Sequence, residues 1–374
     1  MRSKTKKLKP SIVPSRPSDE GSNSVYLDIK PNKNTGYISN NSILYSQVET
    51  IGPSLSISKG TTKDVDVQNK FQNKVLDWVK FEQNKKEFTF DFRIEDNITK
   101  SALSAAHYTI NKIVQNYPPP YTLFLSGGVD SQAMLHAWHT SGIPYKTCSA
   151  VYNFNSNHHD LLSLKAFASL YNIHVNFVDF DLIDFLETKH DEFANNFICG
   201  SPQITAYMRM VELYNAGTAI MSGNFIMPGG ATSLGPNQIG LYHFAKKMSI
   251  PFIPYFFIET KELAYSFKMN DYVKEITTNI LKEDDRGYHA KVALYQSHGF
   301  PVLTQPKKLT GFEKIKDYYD NNSPRVPNVK DKLGAGIAAS ARNFDLLYRN
   351  KYEGKFSQYK YHLFTNNNKV IVCP

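Results

Sequence analysis

The chain has 374 residues, of which 41% are hydrophobic and 21% charged, and its formal net charge is +9. This composition is typical of a soluble globular protein with one large domain or two ordinary ones. Three scattered cysteines are too few for a disulfide framework or a tetrahedral zinc site. No apolar run is long enough to span a bilayer or to form a signal-peptide core. We therefore expect a cytoplasmic protein without a membrane partner.

The positive charge is concentrated at the two ends of the sequence. Residues 1–24 contain six Lys and Arg against two acidic residues, and residues 301–374 contain thirteen against six. The residues between them are close to neutral. Basic ends of this kind either contact nucleic acid or are simply solvated surfaces, and the composition leaves both interpretations open.

The first quarter of the chain divides into two parts. Residues 1–24 are rich in Lys, Ser and Pro and have no apolar period, which predicts a disordered basic arm. Segments 24–29, 42–48 and 87–94 alternate apolar and polar residues at the period of a strand. They predict a small β-rich N-terminal unit over residues 25–97.

From residue 98 the apolar period changes to that of a helix and continues up to three consecutive prolines at 118–120. Strand patterns at 121–126, 145–153, 174–181 and 218–222 then alternate with helical patterns at 130–141, 159–171 and 203–215. This alternation predicts an α/β fold, with a doubly wound parallel sheet of Rossmann-like type over 98–320. We expect a largely helical C-terminal part, and residues 321–374 form a basic C-terminal extension.

The segment Ser126-Gly127-Gly128-Val129-Asp130-Ser131 joins the first of these strands to its helix. Glycines allow a sharp turn and a close approach to an anion, and the first N–H groups of a helix are free to bind phosphate. Hydroxyl groups add donors, and Asp130 can hold Mg²⁺ against phosphate oxygens. The loop lacks the Gly-Lys-Ser/Thr ending of a P-loop, which disfavours γ-phosphoryl transfer. An ordinary strand–turn–helix connection is the alternative interpretation.

The string SGGVDS resembles the signature of the PP-loop (N-type) ATP pyrophosphatases, which include the synthetase domains of asparagine synthetase and NAD synthetase and several tRNA-modifying enzymes. The resemblance implies that 98–320 is an ATP pyrophosphatase domain that binds ATP and Mg²⁺ on residues 126–131. It also implies cleavage between the α and β phosphates. The backbone of Ala150 or Val151, where the next strand ends, would read the adenine; a buried strand end is the alternative.

A second motif lies on the predicted helix 203–215. Its pattern A-x-x-R-M-x-x-L-Y, followed by Ser222-Gly223-Asn224, resembles NAD synthetase and its relatives. In that family the arginine lies near the phosphates, which implies a bidentate grip on a phosphate or carboxylate by Arg209 and a close approach of a ligand at Gly223. An ion pair with Glu212, three residues further on, is the alternative role for Arg209.

Two later segments resemble asparagine-synthetase-like domains. One differs from that family in its residues, and the other differs in its spacing by one residue. Where that family has Asp-Glu in a Gly-rich turn, this chain has Met227-Pro228. The segment 300–312 is similar to the family's loop that carries a lysine before Gly-Phe. Lys308 is the first choice for that lysine and Lys307 the second, since the spacing here is one residue longer. The resemblance implies that it neutralises charge on the departing pyrophosphate; a solvated lysine pair is the alternative.

The sequence therefore predicts an ATP-dependent, AMP- and pyrophosphate-forming synthetase. It would adenylate a carboxylate or carbonyl oxygen of a small-molecule acceptor, and ammonia or an amine would then displace AMP. No cysteine follows Met1, so we expect no glutaminase nucleophile in this chain and allow for a separate glutaminase partner. Two alternatives remain: an enzyme that modifies tRNA or another nucleic acid through its basic C-terminal segment, and an inactive nucleotide-binding protein.

Overall fold

The computed structural model describes residues 79–82, 87–91, 100–223, 236–267, 288–305, 311–321, 360–364 and 371–373. The predicted basic arm and the strand patterns at 24–29 and 42–48 lie outside the described residues, as do Met227, Pro228, Lys307 and Lys308.

A five-stranded sheet forms the centre of the fold. Its strands are β3 (Tyr121–Phe124), β4 (Lys146–Tyr152), β5 (Phe177–Phe180), β6 (Thr218–Met221) and β7 (Phe252–Ile253). All four pairings are parallel, and the spatial order is β5-β4-β3-β6-β7. β4 and β5 lie on one side of β3, and β6 and β7 lie on the other. The direction in which successive strands are added therefore reverses between β3 and β6. This confirms the predicted α/β fold with a doubly wound parallel sheet.

Ten α-helices lie in the described part of the chain. They are α1 (Ala102–Asn116), α2 (Val129–Ser141), α3 (His158–Leu170), α4 (Leu182–Thr188), α5 (His190–Phe197), α6 (Pro202–Tyr214), α7 (Pro236–Met248), α8 (Lys261–Ser266), α9 (Tyr288–Ser297) and α10 (Phe312–Asn321). One buried apolar cluster joins the sheet to α1, α2, α3, α8 and α9, and a second joins it to α4–α7 and α10. Helices thus cover both faces, as expected of a parallel sheet.

The predicted boundaries of the elements from 98 to 222 agree with the structure to within four residues, the largest difference being the start of α1, predicted at 98 and observed at Ala102. The helix predicted at 130–141 is α2, and it ends at Gly142, whose φ of 72° is the left-handed conformation that glycine adopts most easily. The prolines at 118–120 directly precede β3, as predicted. The short helices α4 and α5 were not predicted; α5 ends at Ile198, a left-handed β-branched residue that gives no sequence signal.

A second, four-stranded sheet has the order β1-β2-β8-β9. Its strands are β1 (Val79–Glu82), β2 (Glu87–Asp91), β8 (Lys360–Phe364) and β9 (Ile371–Cys373). β2 corresponds to the strand pattern predicted at 87–94. It pairs in parallel with β8, while the other two pairings are antiparallel. The expected helical character of the C-terminal part holds for 288–297 and 312–321, whereas the described residues beyond 321 form strands.

In the part of the chain that the structure describes, no helix combines the length and apolar character needed to cross a membrane.

Candidate functional site

A cavity of about 290 Å³ opens at the carboxyl edge of the large sheet, between the ends of β3 and β6. This is the point where the strand order reverses, and doubly wound sheets bind their ligands there. The cavity walls come from the loop after β3, the end of β4, the start of α3, helix α6 and the loop after β6. The residues that line the cavity include Ser126, Gly128, Asp130, Ser131, Ala150, Tyr152, Asn157, Asp160, Gln203, Tyr207, Met210, Ser222, Gly223 and Tyr255.

The loop after β3 is closed by a pair of serines. The Ser126 backbone N–H donates to Ser131 Oγ at 3.0 Å, and the two hydroxyl oxygens lie 2.9 Å apart. Ser131 is buried, so its hydroxyl fixes the shape of the loop. Ser126 is exposed to the cavity and is the serine that a ligand can reach.

Gly127 packs against the backbone at the start of α3. Its φ is +89°, and a Cβ at this position would lie 2.1 Å from the carbonyl oxygen of Asp160. Two glutamines hold its carbonyl oxygen: Gln132 Nε2 donates at 3.0 Å and Gln305 Nε2 at 3.4 Å. Only glycine fits here, because both the backbone angle and the space exclude a side chain.

The N-terminus of α2 fits a phosphate group. Its N-cap is Gly128, which gives the helix no side-chain cap, and the first helical hydrogen bond runs from the Gln132 N–H to the Gly128 carbonyl at 3.1 Å. The N–H groups of Val129, Asp130 and Ser131 therefore have no carbonyl partner within the helix. Such N–H groups carry partial positive charge and bind anions well.

Both oxygens of the Asp130 carboxylate contact helix α9. Lys291 Nζ lies 2.6 Å from Oδ2, and the Tyr295 hydroxyl donates to Oδ1 at 2.6 Å. Burial raises the pKa of Tyr295 well above its ordinary value, and the neighbouring carboxylate raises it further, so the phenol keeps its proton. Sequence analysis missed both residues, because a Lys and a Tyr four positions apart on a helix are common and carry no motif.

Asp160 supplies a second carboxylate to the same cavity. It is buried, its Oδ1 accepts a hydrogen bond from Gln305 Nε2 at 2.8 Å, and His159 Nε2 lies 3.6 Å from Oδ2. No group of three or more metal-ligating side chains occurs among the described residues. Mg²⁺ nevertheless fits the site, because it usually takes one or two carboxylates together with substrate phosphates and water. Asp130 and Asp160 are the carboxylates that would hold it.

The end of β4 presents backbone groups to the cavity, but one side chain pairs with them. Asn157 Nδ2 donates to the Ala150 carbonyl at 2.8 Å, and its Oδ1 accepts from the Tyr152 N–H at 3.1 Å. Ala150 and Asn157 both line the cavity, whereas Val151 is not among the lining residues. Adenine recognition by Ala150 or Val151 stays a prediction, and Asn157 is an additional candidate that sequence analysis missed.

The opposite wall carries tyrosines that remain protonated at neutral pH. Tyr207 accepts a hydrogen bond from Gln203 Nε2 at 2.9 Å. Burial raises the pKa of Tyr207 to about 12, and the negative charge of Asp160 acts in the same direction. The hydrogen bond from Gln203 lowers the pKa, but its effect is smaller than that of burial. Burial likewise raises the pKa of Tyr152, which lies at the end of β4. These phenols can therefore donate hydrogen bonds to a ligand and do not act as phenolate bases.

The loop after β6 comes close to the aromatic wall of the cavity. Gly223 has a φ of +61°, and a Cβ there would lie 2.3 Å from Tyr255 Cδ1. Ser222 and Gly223 both line the cavity, and the Ser222 carbonyl accepts a hydrogen bond from the Phe257 N–H at 3.3 Å. Gly223 therefore lines the cavity, and its contact with a cofactor stays a prediction.

Arg209 and Lys308 are the two cations that the sequence predicts for the site. Arg209 forms an ion pair with Glu212, and both side chains are 29% exposed. It lies on α6, one residue before the cavity-lining Met210, but does not itself line the cavity. Its role at a phosphate stays a prediction. Lys308 lies outside the described residues, and its role also stays a prediction.

Neither the protein-family models nor the curated protein sequences give a match to this chain. The fold is similar to a structure of NMN synthetase from Francisella tularensis, with 14% identity, a TM-score of 0.33 and coverage of 69% of this chain and 97% of that chain. It is similar to the U34-tRNA thiolase NcsA from Methanococcus maripaludis with its [4Fe-4S] cluster, with 11% identity, a TM-score of 0.28 and coverage of 74% and 84%.

A third similarity is to glutamine-dependent NAD⁺ synthetase from Acinetobacter baumannii in complex with ADP, with 13% identity and a TM-score of 0.28. It covers 75% of this chain and 50% of that chain. With these low values the similarities carry no functional argument, which has to come from the site itself.

Proposed function

We propose that this protein is an ATP-dependent synthetase that forms AMP and pyrophosphate while it adenylates an oxygen of an acceptor. The single observation that carries the proposal is the loop 126–131. It places an uncapped helix N-terminus and a carboxylate in one cavity at the reversal point of the sheet. A second carboxylate, Asp160, lines the same cavity, so that both phosphate and Mg²⁺ would have partners.

The type of bond cleavage is argued from the charges of the loop. A γ-phosphoryl transferase of the P-loop type fixes a lysine on the β and γ phosphates from within the loop, whereas residues 126–131 hold no lysine. A loop that grips phosphates through N–H groups and hydroxyls is suited to holding a pyrophosphate leaving group. We therefore expect cleavage between the α and β phosphates.

In the proposed reaction a carboxylate or carbonyl oxygen of the acceptor attacks the α-phosphorus, and the bond to the bridging oxygen of pyrophosphate breaks. The N–H groups of Val129 to Ser131 and the Ser126 hydroxyl hold the phosphate oxygens in place. Mg²⁺ held by Asp130 and Asp160 would neutralise charge on the departing pyrophosphate. Lys308 and Arg209 are proposed as additional cations for the same charge.

The second half-reaction needs a nitrogen nucleophile. Ammonia or an amine displaces AMP from the activated acceptor, so that a C–N bond forms and AMP leaves. The neutral donors Gln203 and Tyr207 on α6, together with Tyr152 at the end of β4, are suited to orienting an uncharged polar acceptor group. A separate glutaminase is the proposed partner if the donor is ammonia, and the cytoplasm is the proposed location.

The proposal is tested in two steps. Mass spectrometry of small molecules that co-purify with the protein first supplies candidate acceptors. Turnover of α-labelled ATP with those acceptors is then resolved by thin-layer chromatography, and we expect AMP and pyrophosphate. Production of ADP alone would contradict the proposed cleavage. Tight binding of ATP with no turnover on any co-purified acceptor would instead favour an inactive nucleotide-binding protein.

A nucleic-acid-modifying enzyme is the second candidate, and one observation favours it. Phe154 is 63% exposed, and its ring lies 5.4 Å from the ring of Tyr318, one of the tyrosines in the basic C-terminal segment. Exposed aromatic rings beside basic residues can stack on unpaired bases. Binding of a short single-stranded RNA that weakens steeply with salt, and that Phe154→Ala abolishes, would support this candidate.

A further inference from the structure

Helix α9 holds both oxygens of the site carboxylate at once. Lys291 and Tyr295 are four residues apart, so they lie one above the other on the same face of the helix. Each contacts a different oxygen of Asp130, and both distances are 2.6 Å. The two contacts differ in how firmly each is fixed.

Tyr295 is held by the apolar core. Its side chain is fully buried, and its ring lies 5.4 Å from that of Phe257, 5.5 Å from that of Phe267 and 5.7 Å from that of Phe300. The hydroxyl therefore reaches Asp130 Oδ1 from a fixed position. This contact sets the orientation of the carboxylate whether or not a ligand is present.

Lys291 contacts the other oxygen with a flexible side chain. The side chains of Lys291 and Asp130 are 20% and 21% exposed. Lys291 is not one of the residues that line the cavity, but its ammonium group contacts the carboxylate of Asp130, which does line it. A lysine is a point charge on a four-carbon stem and moves with little steric cost. Its ammonium contacts Oδ2, so a metal ion held by this oxygen would compete with it.

We infer that Lys291 holds the place of Mg²⁺ on Asp130 and moves to the phosphate oxygens when ATP·Mg²⁺ binds, while Tyr295 keeps the carboxylate oriented. This inference rests on the proposed function. Before binding, the ammonium compensates the charge of the half-buried carboxylate. After binding, Mg²⁺ held by Asp130 would compensate that charge, and the ammonium would be free to hydrogen-bond a phosphate oxygen. Lys291 would then be a substrate-contacting residue, and Tyr295 a positioning residue.

Two binding measurements test the exchange without relying on turnover. The first titrates nucleotide-free protein with Mn²⁺ and follows free Mn²⁺ by its EPR signal. Lys291→Met removes the competing cation, so we expect Mn²⁺ to bind about tenfold more tightly than to the unmodified protein. The second measures ATP in the presence of Mg²⁺ by calorimetry. Here the same variant loses a phosphate ligand, a loss of roughly a hundredfold that outweighs the tenfold relief of competition with the metal, so we expect net binding about tenfold weaker.

The opposite signs of the two effects separate this role from a structural one. Lys112→Met is the matched control, since Lys112 lies on α1 near the Tyr108 ring, and it should change neither affinity. Equal or weaker Mn²⁺ binding in Lys291→Met, or unchanged ATP binding, would overturn the inference. If Lys291→Met does not fold by circular dichroism, Lys291→Gln serves in its place with the same expectations.

Tyr295→Phe tests the positioning role. It keeps the packing of the ring and removes only the hydroxyl, so we expect weaker Mn²⁺ binding and little change in the contact of Lys291 with ATP. Unchanged Mn²⁺ affinity would refute this role for Tyr295. Failure of the unmodified protein to bind ATP with Mg²⁺ would refute the proposed function, whereas binding that is insensitive to Lys291→Met refutes only the inference.

Discussion

Gly127 and Asp160 approach each other so closely that a Cβ on the glycine would lie 2.1 Å from the carbonyl oxygen of the aspartate. The contact ties the phosphate loop to the start of α3. Asp160 lines the same cavity as Asp130. The geometry of the two carboxylates thus depends on the absence of a single methyl group.

Gly127→Ala is therefore expected to cost about 3 kcal/mol or more, because it combines an unfavourable φ with a clash against backbone. ATP binding should be lost as well, since the loop has to move away from α3. Gly142→Ala is the control: Gly142 has a similar φ of +72° but nothing within 4 Å of its added Cβ. It should cost only about 1 kcal/mol. Urea unfolding of both variants checks the difference, and equal losses would contradict the clash.

Asp130→Asn should abolish Mg²⁺-dependent turnover and leave the fold intact. The amide keeps the size of the carboxylate and an acceptor oxygen for Tyr295, but it is a poor ligand for Mg²⁺. The measurement is ATP affinity and turnover as a function of Mg²⁺ concentration. Asp191→Asn, an exposed position on α5, is the control. A wild-type rate of Asp130→Asn at limiting Mg²⁺ would show that Asp130 is only a helix-start residue.

Asn157→Ala should bind ATP more tightly than the unmodified protein. Asn157 donates to the Ala150 carbonyl and accepts from the Tyr152 N–H, which is the hydrogen-bonding pattern that the Watson–Crick edge of adenine would offer. Removing the amide frees both backbone groups for the base. It should also cost about 1–3 kcal/mol of stability in the unliganded protein. Weaker ATP binding would mean that Asn157 itself contacts the nucleotide.

Stability should fall on acidification because of His243. Burial lowers its pKa to about 4, with Lys246 and Lys247 acting in the same direction. On acidification, His243 is therefore protonated near pH 6.5 in the unfolded chain but only near pH 4 in the folded chain. His243 does not change the free energy of unfolding well above pH 6.5, and at pH 5 its protonation in the unfolded chain lowers that free energy by about 2 kcal/mol.

Urea unfolding at pH 7 and pH 5 measures the effect, and His243→Gln should remove that part of the loss. A further loss should remain in the variant, because burial also lowers the pKa of His136, His298 and His107. An identical pH dependence in the variant and the unmodified protein would contradict the assignment to His243.

The large sheet and the phosphate loop were predictable from the sequence because both depend on local patterns. A strand that ends in Ser-Gly-Gly and continues as an apolar helix leaves the chain few conformations, and Gly142 ends that helix as predicted. The polar contacts of the site were not predictable. Lys291 and Tyr295 meet Asp130 across 161 and 165 residues, and Gln305 meets Asp160 across 145. Such pairings depend on how the helices pack.

Arg209 illustrates the same limit within one helix. The sequence offered two partners for it, a ligand phosphate and Glu212, and both require the same guanidinium group. In the structure it pairs with Glu212. The pairing with an ordinary neighbour three residues away does not exclude a later exchange of partners, which is why the role of Arg209 at a phosphate stays a prediction. A motif thus identifies a charged group without fixing its partner.

The parallel pairing of β2 with β8 has a consequence for synthesis on the ribosome. Every strand and helix of the large sheet lies between these two strands in the sequence. At a translation rate of roughly 5–20 residues per second, β8 is synthesised between about ten and sixty seconds after β2. During that interval the edge of β2 is open to pairing with a neighbouring nascent chain. Translation speed, rather than equilibrium stability, should therefore govern how much of this protein is lost to aggregation.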